Sequence, residues 1–308
     1  MKVLGICCGR KDGNTEIMMK EAFRAIENKC GAQCRLVRLQ EAEIKSCIGC
    51  EACITNRMKG VKDFRCTHRD DSDHFRFIEE LARESDAIIV SSPSYMLMPP
   101  GILIRFLDRF HGSGDYEKIT AENPKIGATF TLGGSDWNNF TLPMTNKVTA
   151  EMVGSFSTIV DICNFSHVPS PGAVVLWEDV MARMRLLGEH VADALLARKA
   201  GEKEAYGGEE GVCPDCHGTL LERIGEDWYC PQCMNRATLS TEDGKLKVTF
   251  APEDRRKNRW SEAGDKVHKA AIGREHERAA QNREEIERMR QEYACREYAV
   301  TLPELNRE

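Results

Sequence analysis

The chain has 308 residues, 41% of them hydrophobic and 30% charged, and a formal net charge of −6. That apolar content suits one good-sized core plus something smaller, so two or three units are expected. The acidic balance argues against a nucleic-acid or membrane surface, and no stretch approaches the ~20 apolar residues of a spanning helix. The apolar run at residues 1–6 is too short for an export signal and reads as a strand, so the protein is expected to be soluble and cytoplasmic.

In chain order, residues 2–7 form that strand. A turn Gly9-Arg10-Lys11-Asp12-Gly13-Asn14-Thr15 follows, then a helix in which Met18, Ala22, Ala25 and Ile26 recur at helical spacing, with Asn14 or Thr15 as its cap. A second strand covers 35–39, a cysteine-rich stretch 45–66, and a helix about 72–84. The apolar strand Ala87-Ile88-Ile89-Val90 leads into Ser92-Pro93-Ser94-Tyr95-Met96, and a helix with Leu103, Phe106, Leu107 and Phe110 comes next. A strand over 126–131 ends at Gly133-Gly134. One further helix, a strand near 158–162 and a long helix over about 177–199 complete the unit.

Strands that are apolar throughout and alternate with helices indicate a parallel sheet covered on both faces. The predicted fold is α/β, a flavodoxin-like doubly wound five-stranded sheet over residues 1–200. Residues 201–211, rich in Gly and Glu, read as a linker, 212–250 as a small four-cysteine metal ribbon, and 251–308 as a charged helical tail. That tail opens on Arg255-Arg256-Lys257, but its acidic residues nearly cancel the basic ones, which favours a solvated helix or an oligomer arm over RNA binding.

In such a sheet the strand C-termini share one edge, where ligands bind. The loops 9–15, 92–100 and 133–139 all follow strands and converge there. The first opens a helix whose free amides favour a phosphate, Gly13 permits close backbone approach, and Arg10, Asn14 and Thr15 offer side-chain donors. Without a Gly-x-Gly-x-x-Gly or Walker pattern, a dinucleotide fold or nucleotidase is not indicated. His68, His74 and His111 fall near the edge as possible proton donors, and Trp137 as a possible stacking surface.

Fourteen cysteines without an export signal point to metal binding rather than disulfides. Cys47-x2-Cys50-x2-Cys53 lets one loop wrap three thiolates around an inorganic cluster, with Cys66 the natural fourth ligand. A 4Fe–4S cluster fits this set best, with zinc or reduced structural cysteines as the other readings. Cys213-Pro-Asp-Cys216 and Cys230-Pro-Gln-Cys233 are two metal knuckles, suited to zinc or to rubredoxin-type iron. The residues after each knuckle, His217 and Met234, are not the glycines of rubredoxin-like loops, which favours structural zinc. Cys7, Cys8, Cys30, Cys34, Cys163 and Cys295 are scattered and read mostly as buried small hydrophobes.

Cys8-Gly9-Arg10-Lys11-Asp12-Gly13-Asn14-Thr15 is similar to the phosphate loop of the NAD(P)H-dependent FMN reductase-like family, with Cys8 where that family usually has Ser. Residues 87–95, with Phe106-Leu107-Asp108-Arg109 downstream, resemble its second flavin loop and following helix, and Thr131-Leu132-Gly133-Gly134 its third loop. The compact cysteine motif after the second strand resembles the iron–sulfur flavoproteins within that family. This resemblance covers residues 1–195. It implies FMN held by Cys8, Arg10, Asn14, Thr15, Ser92, Pro93, Ser94, Tyr95, Met96, Gly133, Gly134 and Trp137, a 4Fe–4S cluster, and a homodimer or homotetramer. The implied activity is an oxidoreductase that draws electrons from ferredoxin or NAD(P)H and reduces a small-molecule acceptor. An electron carrier without organic substrate, or a redox-sensing binding protein using the zinc ribbon, are the alternatives.

Overall fold

The computed structural model describes residues 1–68, 71–110, 112–136, 138–168, 170–256, 258–296 and 298–300. His111, Trp137 and Lys257 lie outside the described residues. Residues 1–255 form one compact unit and residues from 256 onward a second.

The first unit is built from β1 (Lys2–Cys7), α1 (Asn14–Cys30), β2 (Gln33–Arg38), α2 (Ala52–Met58), α3 (Phe75–Arg83), β3 (Ala87–Pro93), α4 (Gly101–Phe110), α5 (Gly114–Glu122), β4 (Ile126–Leu132), α6 (Thr141–Val153), β5 (Ile159–Phe165) and α7 (Glu178–Ala200). All five strands are parallel, in the order β2-β1-β3-β4-β5. This is the doubly wound order of flavodoxin-like proteins, with its reversal between β1 and β3.

Both faces of β3 are buried, which explains its unbroken apolar run. Ala87 and Ile89 join Val3, Ala128 and Phe130 in a core closed by α1 and α7. Those two helices cross so closely that a Cβ on Gly188 would lie 2.3 Å from the Ala22 carbonyl oxygen. On the other face, α6 lies against β3 and β4. There Phe75, Phe106, Phe110 and Tyr116 pack in tilted and edge-to-face pairs with centroids 5.0–5.8 Å apart, joining α3, α4 and α5. Sequence periodicity did not anticipate α2 or α5; both are short, and α2 has no buried residue.

The segment 201–211 is fixed to the sheet edge. Gly207 N–H donates to the Val160 carbonyl at 2.8 Å, and the Tyr206 ring stacks on His217 at 3.4 Å. The cysteine module that follows is a four-stranded antiparallel sheet of β6 (Glu222–Ile224), β7 (Asp227–Tyr229), β8 (Arg236–Glu242) and β9 (Lys245–Phe250), trailed by a single turn α8 (Pro252–Arg255). Its strands are largely exposed, so the buried cysteines at its knuckles supply much of what core it has.

The second unit holds α9 (Glu262–Gln281) and α10 (Arg283–Ala294). Neither helix has a buried residue, and pairs such as Lys266–Glu262, Lys269–Asp265 and Arg288–Glu285 satisfy their charges at helical spacing.

Candidate functional site

The registers Cys7↔Ser91, Pro93↔Leu132 and Leu132↔Phe165 bring the ends of β1, β3, β4 and β5 level. The three predicted loops therefore share one edge, with the first two flanking the β1/β3 switch point. The first loop is tight. Gly13 N–H donates to the Arg10 carbonyl at 3.1 Å, and a Cβ on Gly9 would lie 1.9 Å from Thr15 Oγ1. The Gly13 carbonyl accepts from Glu16 and Ile17, which leaves the first amides of α1 facing the loop as a ready anion site.

The side chains of this loop are employed differently from expectation. Asn14 donates to the carbonyls of Val168 and Ser170 at 3.2 and 2.8 Å and accepts from Val174 N–H at 3.2 Å. Its amide thus clamps Val168, Ser170 and Val174. The Thr15 hydroxyl lies 3.6 Å from Cys7 Sγ, and Arg10 is exposed. Cys8 is fully buried, its N–H donates to the Ser91 carbonyl, and its own carbonyl accepts from Gln40. Burial pushes the Cys8 thiol well above its ordinary range. In this loop the backbone amides, rather than these side chains, are the donors that suit a phosphate.

The second loop is pinned at both ends. Ser92 Oγ donates to the Pro93 carbonyl, and Ser94 N–H donates to the Leu132 carbonyl at 2.8 Å. Tyr95 and Met98 exchange backbone hydrogen bonds around Met96 and Leu97, whose φ of 50° and 68° are left-handed. A turn so strained at two non-glycine residues is an unusual feature that tends to mark function. Met96 is 94% exposed, and Tyr95, Leu97, Met98 and Phe140 are exposed around it. In the third loop Gly133 N–H donates to the Phe165 carbonyl, and a Cβ there would lie 2.7 Å from the Ser135 carbonyl oxygen. Gly134 follows in the same bend, while Trp137 is outside the described residues. Sequence reading missed Asn138, whose amide donates to Asn164, the Phe165 carbonyl and Ser166 and so ties this loop to β5. Its signal was weak: one polar residue in a polar loop.

The first cysteine set lies along an exposed loop. Cys47 and Cys50 are exposed, Cys53 and Cys66 half-buried, and all are free thiols. Two contacts align the loop with residues 66–68: His68 Nε2 lies 3.1 Å from the Ser46 carbonyl, and Cys50 Sγ 3.3 Å from the Thr67 hydroxyl. That hydroxyl lowers the Cys50 pKa, as suits a ligand thiolate. Cys66 is seated on Gly112, where a Cβ would lie 2.6 Å from the Cys66 Cβ. His74 Nδ1 accepts from Glu43 N–H, which spends one of its ring nitrogens on structure.

The second set is compact. The sulfurs of Cys213, Cys216, Cys230 and Cys233 all lie within 4.8 Å of one another and are buried, the one such group among the described residues. Four buried soft donors around one point fit a tetrahedral ion. Hydrogen bonding from the neighbouring thiols, Cys216 first, holds the Cys213 thiol far below its ordinary range. Asn235 Nδ2 donates to Cys213 Sγ at 3.4 Å and to Asp215 at 2.7 Å, and Arg255 pairs with Asp215 in turn. Arg255 is therefore outer support for this site rather than the start of a free tail. His217 and Met234, at φ 55° and 58°, take the left-handed backbone that glycine would. The absence of glycine thus leaves the knuckle geometry unchanged, and does not discriminate zinc from iron.

With this geometry in place, likenesses to known proteins become informative. Residues 1–141 match the family described as NADPH-dependent FMN reductase. A flavone synthase of Aspergillus candidus, cfoJ, is 27% identical over 282 residues, 82% of this chain and 83% of that protein. An iron–sulfur flavoprotein of Archaeoglobus fulgidus is 36% identical over 110 residues, 35% of this chain and 45% of that protein, so the match spans about half its length. The solved structure of a flavone reductase superposes with a TM-score of 0.76 at 22% identity, covering 99% of this chain and 100% of the other, so the fold is shared from end to end. Residues 1–141 of the α/β domain thus carry the likeness to the NADPH-dependent FMN reductase family, and the protein is a flavin-dependent oxidoreductase.

Proposed function

We propose that this chain draws electrons from NAD(P)H or ferredoxin, relays them through FMN and a 4Fe–4S cluster, and transfers them to a small planar acceptor with a conjugated carbon–carbon double bond, of the flavone kind. The observation that supports the reading is the convergence of three strand-following loops on one sheet edge, two of them flanking the β1/β3 switch point. FMN bound there supplies both hydride and single-electron chemistry. The first amides of α1 and the turn 9–13 suit its phosphate, and the pinned loops 92–98 and 133–138 suit its ring. Tyr95, Met96, Leu97, Met98 and Phe140 offer an aromatic substrate an apolar face beside it.

The substrate class is supported by the two likenesses that run the length of the chain, one to a protein named for making a flavone and one to a protein named for reducing it. Reduction would add a hydride to one carbon of the double bond and a proton to its neighbour while NAD(P)H is oxidised; desaturation is the reverse. The cluster on Cys47, Cys50, Cys53 and Cys66 is supported by the side-by-side path of segments 46–50 and 66–68 and by the likeness to iron–sulfur flavoproteins. Cys213, Cys216, Cys230 and Cys233 would hold structural zinc, with rubredoxin-type iron as the second reading because their sulfur-only set suits both. A homodimer or homotetramer is part of the proposal.

Anaerobically purified protein tests all of this. About four irons and four sulfides with one FMN and one zinc are expected per chain, and light scattering should report the oligomer. NADH, NADPH and reduced ferredoxin are then each supplied with a flavone, and conversion to the 2,3-dihydro compound is measured. Flavin reduction without conversion of the flavone or its dihydro form would remove the substrate class. Flavin and zinc without sulfide would remove the cluster.

A further inference from the structure

Helix α6 buries a row of polar side chains where a helix on a sheet ordinarily buries aliphatic ones. Thr141, Thr145, Asn146 and Thr149 are each at most 1% exposed. Such burial is tolerable only because every one of them is hydrogen bonded. Thr145 and Thr149 return their hydroxyls to the helix carbonyls four residues back. The other two reach out of it.

Thr141, at the first position, has its hydroxyl 2.9 Å from Ser94 Oγ and 3.2 Å from the Leu97 carbonyl, both in the second flavin loop. Asn146, five residues on, donates from Nδ2 to the Cys216 carbonyl at 3.1 Å, and its Oδ1 accepts from Thr129 of β4 at 3.1 Å. Cys216 belongs to the buried cysteine quartet. The same knuckle is gripped from its other side, where His217 stacks on Tyr206 and Gly207 is bonded to β5. The quartet and the strained turn at Met96 and Leu97 thus bear on one helix, about 7.5 Å apart along its axis.

We infer that Asn146 is a positioning residue through which the metal of the cysteine quartet sets the geometry of the flavin loop. An ion shared by both knuckles fixes the Cys216 carbonyl. Asn146 reads that position and fixes the rotation of α6 on β4, and Thr141 at the helix start holds Ser94 and the Leu97 carbonyl in place for the flavin. A helix carries such a displacement along its length as one packed element. Coupling of this kind is reciprocal, so FMN must strengthen metal binding by the factor by which the metal strengthens FMN binding. The inference rests on FMN occupying this loop cluster and on a metal in the quartet. It is independent of the substrate and of the first cysteine set.

The test uses the full chain loaded with zinc. FMN affinity is read from flavin fluorescence before and after zinc removal, and zinc affinity by competition with a chelator of known strength, with and without FMN. Zinc removal should weaken FMN binding about fivefold, at the lower end of ordinary site-to-site coupling, and FMN should strengthen zinc binding by the same factor. Both effects should vanish in Asn146→Ala and in Thr141→Val, the second of which keeps side-chain volume should the first fold poorly. Equal zinc affinity with and without FMN would overturn the inference, and that arm starts from folded, metal-loaded protein. Coupling undiminished in both variants would overturn it equally.

Discussion

Asp73 and Arg109 form an ion pair behind the first cysteine loop, with side chains only 2% and 3% exposed. Asp73 also accepts from the amides of Lys45 at 2.9 Å and Phe75 at 3.1 Å. Arg109 donates to the Lys45 carbonyl at 3.2 Å, and Arg105 to that of Ile44. The pair therefore holds the peptide groups two residues ahead of Cys47. Burial pushes the Asp73 carboxyl up, but the Lys45 amide and Arg109 outweigh it, so the group ends below the usual carboxylate range and stays ionised. Removing one partner of a buried pair leaves the other charge uncompensated, at a cost of about 3–5 kcal/mol. Each orphaned amide adds about 1 kcal/mol. Water entering along the exposed cysteine loop offsets part of this, so Asp73→Ala is expected to lose about 3–4 kcal/mol in denaturant unfolding. Iron and sulfide uptake on reconstitution should fall with it. Asp193→Ala, at a carboxylate 58% exposed on α7, serves as control and should stay within about 0.5 kcal/mol. A loss below about 1 kcal/mol for Asp73→Ala, with iron and sulfide content unchanged, would refute the latch.

Acid stability should depend on Glu16. This fully buried carboxylate accepts from Arg38 Nε at 2.8 Å and Nη2 at 2.9 Å and pairs with Lys20, and the Arg38 bonds chiefly lower its pKa to about 2. A depressed carboxylate contributes stability that is present above its unfolded pKa near 4.5 and is lost as pH falls toward 2. The loss is at most about 3 kcal/mol, and Arg38→Met should flatten the acid limb of a stability–pH curve. Gly9→Ala should weaken FMN binding about tenfold or more, since its methyl would occupy the place of the Thr15 hydroxyl; an unchanged flavin dissociation constant would show that the loop relaxes freely. On metal-free protein, mass-spectrometric mapping of alkylation should find Cys50 modified first and Cys8 and Cys163 last, because the Thr67 hydroxyl lowers the one thiol and burial raises the other two. Labelling of Cys163 as fast as Cys50 would contradict that order.

The parallel sheet was legible because its inner strands are short, predominantly apolar runs. Nothing but two-sided burial accounts for Ala87-Ile88-Ile89-Val90. The loop positions followed from that alternation, since strand ends in a parallel sheet must share an edge. What the individual side chains do there was less legible. Asn14 sits where a phosphate donor is expected, yet its partners come from residues more than 150 positions away. No local pattern encodes such a contact. Asp73, Arg109, Asn138 and Asn146 were missed for the same reason: each acts through a long-range hydrogen bond to backbone. The segment 201–211 read as a linker from its composition, but a backbone bond ties it to β5, ion pairs of Glu204 and Glu209 to α7, and a ring stack to His217, none of which composition can record.

The two cysteine sets solve opposite problems. The quartet at Cys213, Cys216, Cys230 and Cys233 is compact: its sulfurs converge, its knuckles hold two non-glycine residues in left-handed backbone, and Asn235, Asp215 and Arg255 support it from behind. The set at Cys47, Cys50, Cys53 and Cys66 leaves two sulfurs open to solvent on a loop with little burial of its own. Its order is imposed from outside, by Asp73 and Arg109 at one end and by Gly112 under Cys66 at the other. An open thiol set of this kind suits the stepwise loading of a cluster and the passage of electrons to a partner at the surface. A closed one suits neither. Burial alone thus separates the two sets, one closed among supporting side chains and one open on a loop, before the identity of any metal is considered.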